Sequence, residues 1–179
     1  MSEIYSPEED SYLLSEILKK QIPRLLGKKK NLTFLEIGSG SGILLEIVLS
    51  LEVKKENIFS CDINPESVRH CIKLGFNCIK SDLFKNISGR YDLIVFNPPY
   101  LPEDKSEPKN SRVATTGGKK GSEVINKFLI QAKKHLEKNG KIFLLTSSFT
   151  KGIDFSGYKR TLLEKRKFFF EKLFVWELK

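Results

Sequence analysis

Asn97-Pro98-Pro99-Tyr100 is the segment whose residue types most directly imply chemistry. A residue before proline is pushed out of the helical region, and two successive prolines fix their own φ while carrying no N–H donor. Such a turn therefore offers acceptors, the Asn97 side-chain oxygen and the Pro98 carbonyl. A planar –NH2 group, amide or aminopurine, is a poor nucleophile because its lone pair is delocalised. Two acceptors holding its two N–H bonds disfavour that delocalisation and stabilise the positive charge that develops as the nitrogen attacks an electrophile. Tyr100 supplies a ring to stack on a flat acceptor group and hold it at attack distance. Asn97, Pro98 and Tyr100 are the candidate catalytic residues, and Asn97, Pro98, Pro99 and Tyr100 together the candidate substrate-binding segment.

A second constellation, Glu36-Ile37-Gly38-Ser39-Gly40-Ser41-Gly42, begins where an apolar run turns into a helical pattern. Glycines there let the backbone take positive φ and approach a ligand closely. They fall at alternate positions rather than as Gly-x-Gly-x-x-Gly, with Glu36 two residues ahead, which disfavours a pyrophosphate ligand and an NAD-dependent enzyme. The turn resembles motif I of the class I methyltransferases, whose cofactor, S-adenosylmethionine, has no phosphate and carries a sulfonium and an ammonium. Those groups favour acceptors and nearby negative charge. Asp62, 22 positions after Gly40, ends a second apolar run, where an acid accepts from ribose hydroxyls. Ile63 would cover the adenine, Asp82 would accept from its amino group, and Leu83 would offer it a backbone N–H. Asn64-Pro65-Glu66 caps the following helix and leaves Asp62 for the ligand.

The elements that must position these residues alternate. Ser6 with Pro7 and Glu9 reads as a capping box opening a helix whose apolar stripe is Leu13, Leu14, Ile17, Leu18 and Ile22. Strands are expected at Leu32–Ile37, Ile58–Cys61, Phe76–Lys80, Tyr91–Phe96 and Lys141–Ser147. Helices are expected at Ile43–Leu51, Pro65–Leu74 and Ser122–Lys138, the last stopped by Gly140. This is an α/β pattern with a parallel sheet and crossover helices. The tail reads as a short helix near Tyr158–Arg166 and two runs, Lys167–Phe170 and Leu173–Leu178, forming an antiparallel edge. Between Leu101 and Lys120 no apolar period survives, which implies a mobile, functional loop.

At 179 residues and 40% hydrophobic content the chain reads as a single domain with its own core. Its three cysteines contain no Cys-x-x-Cys pair, so neither a disulfide framework nor a metal site is suggested, and a reducing, cytoplasmic setting follows. No apolar run is long enough to span a bilayer and no export signal is visible. The net charge of +9 lies almost entirely in residues 91–179, with 18 basic and 10 acidic side chains. That favours acidic partners without specifying chemistry.

With both motifs in place the sequence resembles the amino-methyltransferases with an (Asn/Asp)-Pro-Pro-(Tyr/Phe) loop. The combination of Tyr5-Ser6-Pro7-Glu8-Glu9-Asp10-Ser11, Gly38–Gly42, Asp62–Glu66, Asn97–Tyr100 and Gly117-Gly118-x-x-Gly121-x-Glu123-Val124 is similar to the short archaeal and eukaryotic HemK-like release-factor glutamine methyltransferases. That resemblance implies a Rossmann-like class I fold with a mostly parallel seven-stranded sheet and an antiparallel edge hairpin. It also implies an N-terminal cover over the cofactor (residues 1–27) and a substrate, the glutamine of the Gly-Gly-Gln loop of a class I release factor. Tyr5, Ser11, Glu36, Gly38, Gly40, Asp62, Ile63, Asp82, Leu83 and Asn97 become the candidate cofactor residues. A small zinc-binding activator protein, covering an apolar sheet edge in a heterodimer, is the implied partner. Thr115-Thr116 stands where relatives often carry Trp-Ala. The rival readings are an N-methyltransferase acting on a nucleic-acid base, adenine N6 or guanine N2, and a non-catalytic cofactor-binding module. The roughly thirty residues after Ser147 are few for a target-recognition region.

Overall fold

The computed structural model describes residues 4–103 and 112–179. Strands β1 (Phe34–Ile37), β2 (Ile58–Asp62), β3 (Asn77–Lys80), β4 (Tyr91–Phe96) and β5 (Leu136–Ser147) are parallel. Strands β6 (Arg160–Phe168) and β7 (Glu171–Leu178) form an antiparallel hairpin on β5, and the sheet order is β3-β2-β1-β4-β5-β7-β6. The seven-stranded, mostly parallel sheet with an antiparallel edge is the architecture expected from the sequence.

Side-chain alternation divides the core into two layers. Phe34, Leu93, Val95, Phe143 and Leu145 face α1 (Glu9–Leu26), α2 (Ile43–Ser50) and α3 (Pro65–Lys73). Leu35, Ile37, Ile94, Phe96, Ile142 and Leu144 face Phe128 and Leu129 of α5 (Glu123–Ala132); a single turn, α4 (Arg112–Thr115), precedes it. A bidentate ion pair between Arg166 and Glu16, at 2.9 and 2.7 Å, fastens α1 to β6. Because β1 to β4 are parallel with Ile37 opposite both Cys61 and Phe96, their carboxyl ends deliver Gly38, Asp62 and Asn97 to one rim.

Several expectations fail. The Tyr158–Arg166 helix is instead strand from Arg160 onward. This edge strand is half exposed on both faces and slips register between Leu162 and Glu164, so no clean period of two reaches the sequence. The helix expected to run to Lys138 ends at Ala132 in a 3-10 turn. Gly140 lies inside β5, where a Cβ would come within 2.8 Å of the Tyr91 carbonyl, at the register shift between β4 and β5. The capping box is absent: α1 starts at Glu9, with Glu8 as N-cap and no side-chain cap. Residues 1–3 of the expected cover and 104–111 of the 101–120 loop lie outside the described residues.

Candidate active site

A cavity of about 340 Å³ opens at the carboxyl ends of the parallel strands, within the size range of small-molecule sites. Its floor is the glycine turn. Gly38, Gly40 and Gly42 have φ of 72°, 49° and 79°, conformations that favour glycine. The Cys61 carbonyl accepts from the N–H groups of Gly38 and Ser39, at 2.8 and 3.1 Å. Asp62 fixes the rest: Oδ2 accepts from Gly40 N–H and Oδ1 from Asn64 N–H, each at 2.8 Å. The side chain thus holds the turn as well as facing the cavity, a correction to the reading that Asn64 leaves it free. Asn64 does cap α3, accepting from Glu66 N–H at 3.0 Å. Burial pushes the Asp62 carboxyl above its ordinary range, and the N–H groups of Asn64, Gly40 and Ile63 pull it back.

Glu36 is 2% exposed, and its Oε2 has no hydrogen-bond partner among the described residues. Burial, then the charges of Asp62 and Cys78, drive its carboxyl well above the ordinary range. A buried acceptor left unmatched beside a cavity is costly, and that cost is removed by a ligand carrying a donor or positive charge. Along one wall, Ile63 is an exposed apolar side chain, 50% accessible, beside Asp82 and Leu83. Leu83 holds φ of 50°, a strained conformation for leucine. Its carbonyl accepts from Ser81 Oγ at 2.8 Å, and Ser81 Oγ in turn accepts from Asn86 N–H.

The N-terminal segment closes the opposite side through Asp10, which is 5% exposed. Its carboxylate accepts from Ser11 N–H at 2.6 Å, from the Tyr5 hydroxyl at 3.2 Å and from the Tyr100 hydroxyl at 3.4 Å. Burial first, then the charge of Asp10, pushes both tyrosine hydroxyls far up, so both remain donors. Tyr100 is therefore spoken for. Its ring packs among both core layers and does not line the cavity, which Asn97, Pro98 and Pro99 do. Asn97 Oδ1 is buried with no hydrogen-bond partner among the described residues.

What holds this loop is glycine. A Cβ on Gly117 would lie 2.2 Å from the Gly121 carbonyl oxygen and 2.5 Å from that of Pro99; one on Gly121 would lie 2.3 Å from that of Tyr100. Gly117 N–H donates to Leu101 O and Leu101 N–H to Thr115 O, both at 2.9 Å, and the Thr150 hydroxyl donates to Tyr100 O at 2.8 Å. The described ends of the 101–120 segment are thus bonded to each other against the Asn-Pro-Pro-Tyr turn.

Of the residues singled out from sequence, Tyr5, Ser11, Glu36, Gly38, Gly40, Asp62, Ile63, Asp82, Leu83, Asn97, Pro98 and Pro99 share this one cavity, and Tyr100 stands behind it. Asp10 was missed. Its signal was the α1 stripe: one turn back from Leu13, Leu14 and Ile17 the buried face falls on a carboxylate.

The methyltransferase small domain family model matches residues 9–165. A protein of Methanocaldococcus jannaschii named as a protein N5-glutamine methyltransferase is 34% identical over 98% of this chain and 93% of its own length. Human methyltransferase HEMK2 is 32% identical over 81% of this chain and 72% of its own. Among solved structures, the Mtq2-Trm112 complex of E. cuniculi, responsible for methylation of the eRF1 translation termination factor, superposes with a TM-score of 0.74 at 24% identity, covering 100% of this chain and 99% of that one.

Proposed function

The chain belongs to the methyltransferase small domain family, and from that premise we propose that it methylates the side-chain amide nitrogen of the glutamine in the Gly-Gly-Gln motif of a class I release factor. The observation that carries the reading is the pair of unmatched acceptors in one cavity, Glu36 Oε2 and Asn97 Oδ1. The first fits the cationic amino-acid end of S-adenosylmethionine, above a glycine floor that needs no phosphate. Ile63 and Leu83 supply an apolar wall for a purine, with Asp82 at its edge. When bound, S-adenosylmethionine supplies an electrophilic methyl group on sulfur.

The chain's own part is orientation and charge. Asn97 Oδ1 and the Pro98 carbonyl accept the two N–H bonds of the glutamine amide. The nitrogen lone pair is then less committed to the carbonyl, and the positive charge that forms on nitrogen meets two fixed dipoles. Pro99, Gly117 and Gly121 hold those dipoles still. Tyr100 acts from behind, tying the loop to Asp10 and so to the Tyr5–Ser11 segment; this positioning part replaces the stacking one first expected of it.

The relatives' names favour a protein substrate: the M. jannaschii protein is named for N5-glutamine, and a Schizosaccharomyces pombe relative is named the catalytic subunit of an eRF1 methyltransferase. A small zinc-binding activator in a heterodimer completes the proposal, with the pair working in the cytoplasm alongside translation. Strand β3 ends the sheet, and Ile72, Leu74 and Ile79 on or beside it are exposed, an apolar edge for such a protein to cover. No described helix is long and apolar enough to cross a membrane.

The test is transfer of labelled methyl from S-adenosylmethionine to a purified release factor, with the activator present. Label is expected on the factor and not on its Gln→Ala variant. Comparable transfer to naked DNA or RNA would replace this reading with the nucleic-acid one.

A further inference from the structure

The tip of the β6–β7 hairpin breaks three local rules together. After the Phe168–Glu171 pair it turns in two residues, Phe169 and Phe170. Phe169 has φ of 44°, a conformation for which such turns use glycine or asparagine. The preceding pair sets Lys167 opposite Lys172, like charges on facing strands. Phe169 and Phe170 are 88% and 94% exposed. Local rules broken in one place mark an element selected for something other than folding.

The tip also stands at the catalytic end of the sheet. Ser147, the last residue of β5, lies opposite Leu173, so the hairpin closes beyond the same strand ends that carry Asn97. The Ser147 hydroxyl bonds the Glu171 carboxylate. Ser148 N–H donates to Lys172 O at 2.8 Å. On the turn that follows, Phe149 is 43% exposed, and Thr150 reaches the Tyr100 carbonyl. A short run of bonds thus joins the tip to the catalytic loop.

A glutamine side chain spans only about 5 Å from Cα to its amide nitrogen. For that nitrogen to meet Asn97 Oδ1, the backbone of a protein substrate must descend to the rim, and the surface flanking it must rest on what surrounds the rim. We infer that Phe169 and Phe170, with Phe149 on the adjoining turn, form a docking ledge for the protein substrate. They would receive an apolar patch bordered by acidic side chains that match Lys167, Lys172 and Lys151. Exposed aromatics bordered by cations are the composition of a protein contact with such a partner. The inference rests on the protein-substrate reading above.

The test is the double variant Phe169→Asn/Phe170→Gly, whose turn suits a hairpin better than the native one, so its thermal midpoint should equal or exceed that of the wild type. With the activator present, steady-state kinetics are measured against a purified class I release factor, and S-adenosylmethionine affinity by calorimetry. KM for the factor should rise about tenfold or more, with kcat at saturating factor held within about twofold and cofactor affinity unchanged. Transfer by both proteins with the same KM overturns the ledge alone. No transfer by the wild type overturns the function and the ledge together. If KM stays while binding to ribosomal RNA or to anionic phospholipid vesicles is lost in the double variant, the tip serves that partner and the ledge is again overturned.

Discussion

At the glycine floor, one carboxylate completes the structure. Asp62 takes the N–H groups of Gly40 and Asn64, all three residues coming from neighbouring strand ends. At the Asn97–Tyr100 loop, the fixing contacts come backbone to backbone from Gly117 and Gly121, no farther along the chain than Gly40 is from Asp62, and by side chain from Thr150 and Asp10, which are far more distant in sequence. The first region is finished by bonds between the ends of two paired strands, β1 and β2; the second is completed by segments outside β1 to β4, from α1, the stretch before α5 and the turn after β5. Among the described residues, each keeps one acceptor unmatched, Glu36 Oε2 below and Asn97 Oδ1 above. The two regions are therefore built by different means toward one end, a pair of open acceptors facing a shared cavity.

The largest expected effect strikes the glycine contacts of the loop. Gly117→Ala places a Cβ against two carbonyl oxygens, so kcat should fall about 100-fold through displacement of the loop, and the thermal midpoint should drop by about 5 °C. Unchanged kcat would show that the glycines do not position Asn97. Next, Asn97→Ala should cut kcat about 100-fold while S-adenosylmethionine affinity by calorimetry stays within about threefold. Equal loss of both would erase the division between the two regions.

The smallest effect concerns Glu36. Its carboxyl is raised in the folded state, so the fold holds that proton more tightly than the unfolded chain does. The associated stability is full below the ordinary glutamate value of about 4.3 and is lost as pH rises through the raised one. Glu36→Gln should therefore melt higher than the wild type at pH 8 without ligand. The two curves should converge as pH falls toward about 4, and the variant should bind S-adenosylmethionine more weakly. A lower midpoint at pH 8 would mean that the carboxylate has a partner in the folded protein.

The same contrast explains what was legible in the sequence. The strand-turn-helix at Gly38, the acid at Asp62 and the proline turn at Asn97 announce themselves because each is a local pattern whose residues act where they stand. Strands β1 to β5 and β7 followed from short apolar runs set between helical patterns and turn residues. The glycines at 117 and 121 could be seen but not explained, since their reason is the approach of the Pro99 and Tyr100 carbonyls, which no strand or helix pattern announces. Tyr100 was placed on the substrate because nothing nearby in sequence shows Asp10 accepting its hydroxyl. Strand β6 was taken for a helix because an exposed, bulged edge strand loses the alternation that would reveal it.

The most direct test is to incubate the enzyme and the proposed activator with a release factor and S-adenosylmethionine, then locate the added methyl by tandem mass spectrometry. The account predicts a single methyl on the side-chain nitrogen of the Gly-Gly-Gln glutamine, absent with Asn97→Ala. A methyl on another residue, or on a nucleic-acid base with the factor left unmodified, would contradict it.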